Sequence, residues 1–243
     1  MTTQQEALEV YNQWHATHSE TNASIAPWHA MVQRELRPDI DLQGKRVLEI
    51  GCGLGRFAVW LATQSARPSE IWAGDFSPVA VDNGRKLLIP EGSQSINWFV
   101  GDIENIDQPD NSFDTVFSFE TIEHVPTPAK AVTELARVLK PGGRLYLTTP
   151  NYLGIFGLYR VYCYLRGKTF DEGGQPICHV TMLPKTTRWV RDARLRVIQS
   201  DSTGQYLPIP GRFPLKLNWL DRVRPIARHF GLHSMVIGEK TSS

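Results

Sequence analysis

The segment Val47-Leu48-Glu49-Ile50-Gly51-Cys52-Gly53-Leu54-Gly55-Arg56 constrains this chain more than any other. A run of strand character enters three alternate glycines and leaves into a helical pattern, Phe57 to Thr63. Glycines so spaced let the backbone turn sharply and lie bare against a ligand, while the helix that follows offers free N–H groups. The dinucleotide fingerprint Gly-x-Gly-x-x-Gly needs its third glycine at position 56, which is Arg56 here; Gly55 comes one residue early, which disfavours NAD or FAD. Apolar runs rich in β-branched or aromatic residues recur at Arg46–Ile50, Ile71–Gly74, Ile96–Val100, Thr115–Phe119 and Leu145–Thr148, as in strands buried on both faces. Between them, Pro78–Ile89 opens with Ser77 as N-cap, and Ala129–Leu139 stops at Lys140-Pro141-Gly142-Gly143. Strand and helix in alternation predict an α/β fold with a doubly wound, mostly parallel sheet of seven strands.

The pattern breaks after Pro150, where Tyr152, Phe156, Tyr159, Tyr162, Tyr164 and Phe170 crowd together before a turn-rich Glu172–Pro176. The expected organisation is one domain, 1–243: an N-terminal helical cap over 1–40, a cofactor-binding core over 41–150, a cap insertion over 151–183, and the C-terminal part of the sheet over 184–243. That last part comprises Pro184–Ala193, Leu195–Asp201, a second insertion at Gly204–Pro214, a helix near Leu217–Phe230 and a last strand at Ser234–Ile237. A balance of 26 Lys+Arg against 25 Asp+Glu argues against a general nucleic-acid partner, and Arg188, Arg191, Arg194 and Arg196 read as a solvated face. Cys52, Cys163 and Cys178 form no CxxC pair and no even set. With no signal-peptide pattern and no run of 18 apolar residues, the expectation is a cytoplasmic protein without a transmembrane segment.

Three carboxylates stand where strands end. Glu49, just before the glycine loop, suits a ligand amino group; Asp75, in Ala73-Gly74-Asp75-Phe76-Ser77, suits both hydroxyls of a ribose; Asp102, in Gly101-Asp102-Ile103-Glu104, offers an acceptor to an adenine amine between the apolar walls Phe76 and Ile103. A zwitterionic nucleoside fits such a set and a triphosphate does not.

The successive segments VLEIGCGLGRF, GDFSP, GDIENIDQPDNSFDTVFSFETIEHV and RVLKPGGRLYLTTPN resemble the motifs of class I S-adenosylmethionine-dependent methyltransferases over roughly residues 45–151. The resemblance implies a Rossmann-like methyltransferase fold, with S-adenosyl-L-methionine as cofactor. It implies that Glu49, Gly51, Cys52, Gly53 and Gly55 contact the methionine part, that Asp75 holds the ribose, that Phe76, Asp102 and Ile103 frame the adenine, and that Phe119 and Glu120 lie beneath the donor methyl.

Phe119-Glu120-Thr121-Ile122-Glu123-His124-Val125-Pro126 sets two carboxylates and an imidazole beside the expected methyl. His124 reads as a general base, seconded by Glu123. The same composition suits a divalent cation such as magnesium. The stretch is similar to the Glu-x-x-Glu-His element of ubiquinone-pathway O-methyltransferases, which implies a cation site of Glu120, Glu123, His124 and His179. The expected activity is methyl transfer to a small, apolar or aromatic acceptor, at oxygen by preference. Nitrogen or carbon acceptors, and a non-catalytic cofactor-binding scaffold, are the alternatives. The apolar stripe in Leu153–Leu165 reads as core or a homodimer contact, then as an acceptor lid, then as a membrane-surface element. Tyr11 and Trp14 are placed to close over the cofactor from the other side.

Overall fold

A computed structural model describes residues 4–17, 26–168, 177–204, 206–207, 215–216 and 228–241. In chain order its elements are α1 (Gln4–Thr17), α2 (Pro27–Glu35), α3 (Pro38–Asp41), β1 (Arg46–Ile50), α4 (Arg56–Ala62), β2 (Glu70–Asp75), α5 (Pro78–Arg85), β3 (Ile96–Val100) and β4 (Phe113–Phe119). A single 3-10 turn, Ile122–His124, leads to α6 (Pro128–Val138), β5 (Leu139–Pro150), α7 (Ile155–Leu165), α8 (Leu183–Asp192), β6 (Leu195–Thr203), β7 (Tyr206–Leu207), β8 (Leu215–Lys216) and β9 (His233–Lys240).

The main sheet has seven strands in the order β3-β2-β1-β4-β5-β9-β6. Strands β1 to β5 pair in parallel, and β9 runs antiparallel between β5 and β6. The chain reverses direction beside β1, which has β2 on one side and β4 on the other. Open α/β sheets bind their ligands where the strand order reverses, outside the carboxyl ends of the strands. The ribbon β7–β8 stands where the second insertion was expected. Glu172–Pro176 and most of the helix expected at Leu217–Phe230 lie outside the described residues.

Alternation along the strands builds two cores, one on each face of the sheet. Leu48, Val116, Leu145, Leu147 and Val236 pack with Val132, Leu135 and Val138 of α6 and Val190 of α8. Their neighbours Val47, Phe117, Tyr146, Met235 and Ile237 pack on the opposite face with Met31 and Val32 of α2 and Phe57 and Leu61 of α4. Such fully buried aliphatic side chains contribute about 1.5–3 kcal/mol each. Ser77 caps α5 as expected, its Oγ accepting the Ala80 N–H at 3.3 Å.

The apolar stripe of α7 is not core. Of that helix only Cys163 is buried, while Leu158, Tyr159, Val161, Tyr162, Tyr164 and Leu165 are exposed. Among the described residues no helix is long and apolar enough to cross a membrane.

Candidate functional site

The glycine loop sits at the carboxyl end of β1. Gly51, Gly53 and Gly55 take φ of 76°, 51° and 70°, the left-handed region that side chains resist. Two of the three are also crowded: a Cβ on Gly51 would strike the Thr121 side chain, and one on Gly55 the Trp98 ring. At Gly53 an added Cβ would touch only His15 Cε1, in ordinary contact at 3.7 Å, so that position is not crowded.

Asp75 is tied directly to this loop, and Glu49 stands near the end of the strand that leads into it. Glu49 is buried, and its Oε2 has no hydrogen-bond partner. Burial pushes its carboxyl well above the usual range, against the lowering effect of the Ala58 N–H, and the charge of Asp75 adds to the rise. Asp75 accepts the Gly53 N–H at 2.8 Å on Oδ2 and the Ser77 N–H at 2.9 Å on Oδ1, which ties the end of β2 to the glycine loop. Phe76 is half-buried beside it. Asp102 accepts the Glu104 N–H at 2.8 Å, closing the turn after β3, whereas the Ile103 side chain is buried in the α6-side core. Cys52 is buried too, and burial pushes its thiol well up, which suits an inert packing residue.

Helix α1 lies across the same end of the sheet. Asn12 Oδ1 accepts the Ser77 hydroxyl at 2.6 Å, Tyr11 donates its hydroxyl to the His124 carbonyl at 2.9 Å, and His15 stands over Gly53. Tyr11 therefore joins the cofactor side of the cleft to the turn after β4. Trp14 packs edge-on against His15.

The β4 end carries the groups suited to chemistry. Phe119 is buried among Phe57 at 4.7 Å and His29 at 5.4 Å between ring centroids. Glu120, with φ of 47°, donates its backbone N–H to Thr148 O at 3.1 Å. Glu123 is fully buried, with its Oε1 3.8 Å from His124 Nε2. His124 Nδ1 lies 2.8 Å from the Ile177 carbonyl. A carbonyl only accepts, so Nδ1 carries the proton and Nε2 keeps the lone pair in the neutral ring. Burial holds His124 below the ordinary imidazole value, against the opposing effects of the Ile177 bond and the Glu120 charge.

The cation site expected from Glu120, Glu123, His124 and His179 is not assembled. Glu120 turns its Oε2 to His233 Nδ1 at 3.0 Å, and His179 meets Glu123 through its backbone N–H, at 2.8 Å from the carbonyl. Among the described residues no group of three or more His, Cys, Asp or Glu side chains is arranged to hold a metal ion. His233 was not foreseen from the sequence: it lies 113 residues from Glu120, and no motif marks it. The same holds for Trp28 and His29 of α2, which reach the end of β4 only through packing.

A left-handed glycine loop, an unpartnered buried carboxylate oxygen and an acidic end to β2 define a Rossmann-like α/β protein with a candidate nucleoside-cofactor cleft. Residues 48–147 match the family described as methyltransferase domain. The chain is 31% identical over 187 residues to the ubiquinone biosynthesis O-methyltransferase of Coxiella burnetii strain Dugway, covering 74% of this chain and 75% of that protein. It is 34% identical over 138 residues to the protein of the same name from Dechloromonas aromatica, covering 54% of this chain and only 57% of that relative's length. In structure it resembles a chain from the complex between the Haloferax volcanii Trm112 methyltransferase activator and a methyltransferase, with a TM-score of 0.68 at 21% identity over 98% of both chains. The chain belongs to the class I S-adenosylmethionine-dependent methyltransferases.

Proposed function

We propose that this protein transfers a methyl group from S-adenosylmethionine to an oxygen of a small, apolar or aromatic acceptor, with His124 as the base. The observation that carries the reading is the His124–Ile177 bond, which aims an unprotonated Nε2 away from the carbonyl that orients the ring. The relatives named O-methyltransferases support oxygen as the target.

The chain's own residues fit the cofactor. Glu49 Oε2, buried and without a donor, suits the amino group of the methionine part, and Gly53, uncrowded and without a side chain, suits a ligand lying on bare backbone. Gly51, Cys52 and Gly55 shape that loop, Asp75 suits the ribose, Phe76 and Asp102 suit the adenine, and Phe119 and Glu120 border the reacting end. When bound, the cofactor supplies a methyl group already activated by a positive sulfur. Its acceptor then needs little more than alignment and loss of a proton. His124 takes that proton on Nε2, and Glu123, at 3.8 Å, stabilises the imidazolium formed. Glu123 is fully buried and the His124 side chain only 18% exposed, which limits the water that competes for the base.

The test is transfer of labelled methyl to a panel of hydroxylated aromatic compounds. The wild type labels at least one, and His124→Ala loses about 100-fold or more in kcat/KM while S-adenosylhomocysteine affinity stays within about threefold. Tight cofactor binding with no labelled product across the panel would favour the scaffold alternative.

A further inference from the structure

His124 takes its tautomer from a carbonyl on a segment that has no regular structure of its own. Residues 177–182 form neither helix nor strand, yet Ile177 O lies 2.8 Å from His124 Nδ1. An irregular backbone is only as fixed as the bonds that tie it down. Here those bonds go to two neighbours. His179 donates its backbone N–H to the Glu123 carbonyl at 2.8 Å, in the turn after β4. Further on, Thr181 is tied twice to the end of β5: its carbonyl accepts the Tyr152 N–H at 2.9 Å, and its hydroxyl donates to the Pro150 carbonyl at 2.7 Å.

A single main-chain bond lets a segment pivot, whereas a second one from the same residue fixes its register. Thr181 is fully buried, so the hydroxyl bond is made where water cannot replace a lost partner. Beyond it, Asn151, also fully buried, secures the start of α8. Its Oδ1 accepts the Leu183 and Leu153 N–H groups at 3.2 and 3.3 Å, and its Nδ2 donates to the His229 and Gly231 carbonyls at 2.8 and 2.9 Å, which uses the whole bonding capacity of the amide. With Leu183 held there, Thr181 sets the stretch that leads back to Ile177.

We propose that Thr181 is a positioning residue for His124: its hydroxyl, by locking residues 177–182 against the end of β5, holds the Ile177 carbonyl where it keeps the ring proton on Nδ1 and leaves Nε2 bare. The inference rests on the reading of His124 as the base and deepens it, because it traces the base's proton to a buried hydroxyl on another segment of the chain.

The test reads the position of the proton directly. Protein with isotope-labelled histidine nitrogens, loaded with S-adenosylhomocysteine, is studied by NMR at about pH 8, where a histidine ring is neutral. The His124 signals are those missing from His124→Gln. In the wild type its two ring nitrogens resonate far apart, with Nδ1 the protonated one. In Thr181→Val, which keeps the shape and lacks the hydroxyl, the two move toward one another as an Nε2–H form reaches about 10% or more of the molecules. The kcat for methyl transfer to catechol falls about tenfold, while the KM for S-adenosylmethionine holds. Thr181→Ser restores both. Ser202→Ala, which loses a buried hydroxyl's bond to the Gly231 N–H on the other side of Asn151, keeps the wild-type pattern. An unchanged His124 in Thr181→Val, or an equal change in Ser202→Ala, overturns the positioning role and leaves methyl transfer standing. A changed tautomer with kcat intact overturns His124 as the base, and the catalytic meaning of Thr181 with it. Should Thr181→Val not fold, Thr181→Ala takes its place in the same measurements.

Discussion

His124 Nδ1 lies 2.8 Å from the carbonyl oxygen of Ile177, a residue 53 positions further along the chain. The bond selects one tautomer, and burial of the ring holds it neutral at pH values where a solvated histidine begins to charge. Because only the unprotonated ring can accept a proton, kcat/KM is expected to fall on the acid side with a midpoint below about 6.5, the ordinary imidazole value. Glu120→Gln removes a charge that favours the imidazolium, so its acid limb moves further down. A pH profile of methyl transfer checks both; an acid limb at or above the ordinary value would contradict the tautomer argument.

The glycine loop separates strain from crowding. Gly53→Ala meets only an ordinary contact with His15 and a left-handed backbone, so it is expected to cost about 1–2 kcal/mol in stability. Gly55→Ala meets the same strain and also drives its methyl into the Trp98 ring, for a total nearer 3–4 kcal/mol. Denaturant unfolding orders the two variants. Calorimetry with S-adenosylhomocysteine should find that Gly53→Ala, the milder in stability, still loses affinity at least tenfold, because its methyl covers backbone that the ligand would lie against.

Glu49→Gln probes the orphaned oxygen. Replacing a buried carboxyl by an amide of equal shape is expected to leave stability within about 1 kcal/mol, since the carboxylate gains little from its surroundings. Cofactor affinity should drop about tenfold or more, as a charge-assisted hydrogen bond to the ligand amino group is lost. Equal affinity in the two proteins would remove Glu49 from the cofactor site.

His29 gives the fold its own pH dependence. Burial lowers its imidazole from 6.5 to about 4, so the folded state resists a proton that the unfolded chain accepts. The stability this group contributes is therefore present above about pH 6.5 and lost as the pH falls toward about 4. His29→Phe, which keeps an aromatic ring against Phe57 and Phe119, is expected to flatten the melting temperature across that interval.

Much of the fold was legible because it is written in local patterns. Val47 and Leu48 point to opposite faces of the sheet, and that alternation alone marks β1 as buried on both sides. Ser77 before Pro78, and the glycines at 51, 53 and 55, report backbone geometry within a few residues of themselves. The expected strands at Arg46–Ile50 and Ile96–Val100 coincide with β1 and β3 to the residue. Three of the four expected cation ligands, Glu120, Glu123 and His124, share one turn, yet side chains among them go to different partners: Glu120 to His233 and His124 to Ile177. Spacing places residues near one another but does not decide which neighbour satisfies each polar group. The core reading of the α7 stripe failed for the same reason, since an apolar helical period says that a face wants cover and not that this chain's own fold supplies it.

The amino-acid order by itself determined the alternation of strands and helices, the glycine turn and the acidic strand ends, because each depends on interactions spanning a few residues. The tertiary structure decided which tautomer His124 adopts, where Glu120 spends its carboxylate, and that Trp28 and His29 of α2 reach the end of β4. Those outcomes hang on pairings across 53 to 113 residues, such as Tyr11 with His124 and His233 with Glu120, and no local periodicity encodes a partner so distant.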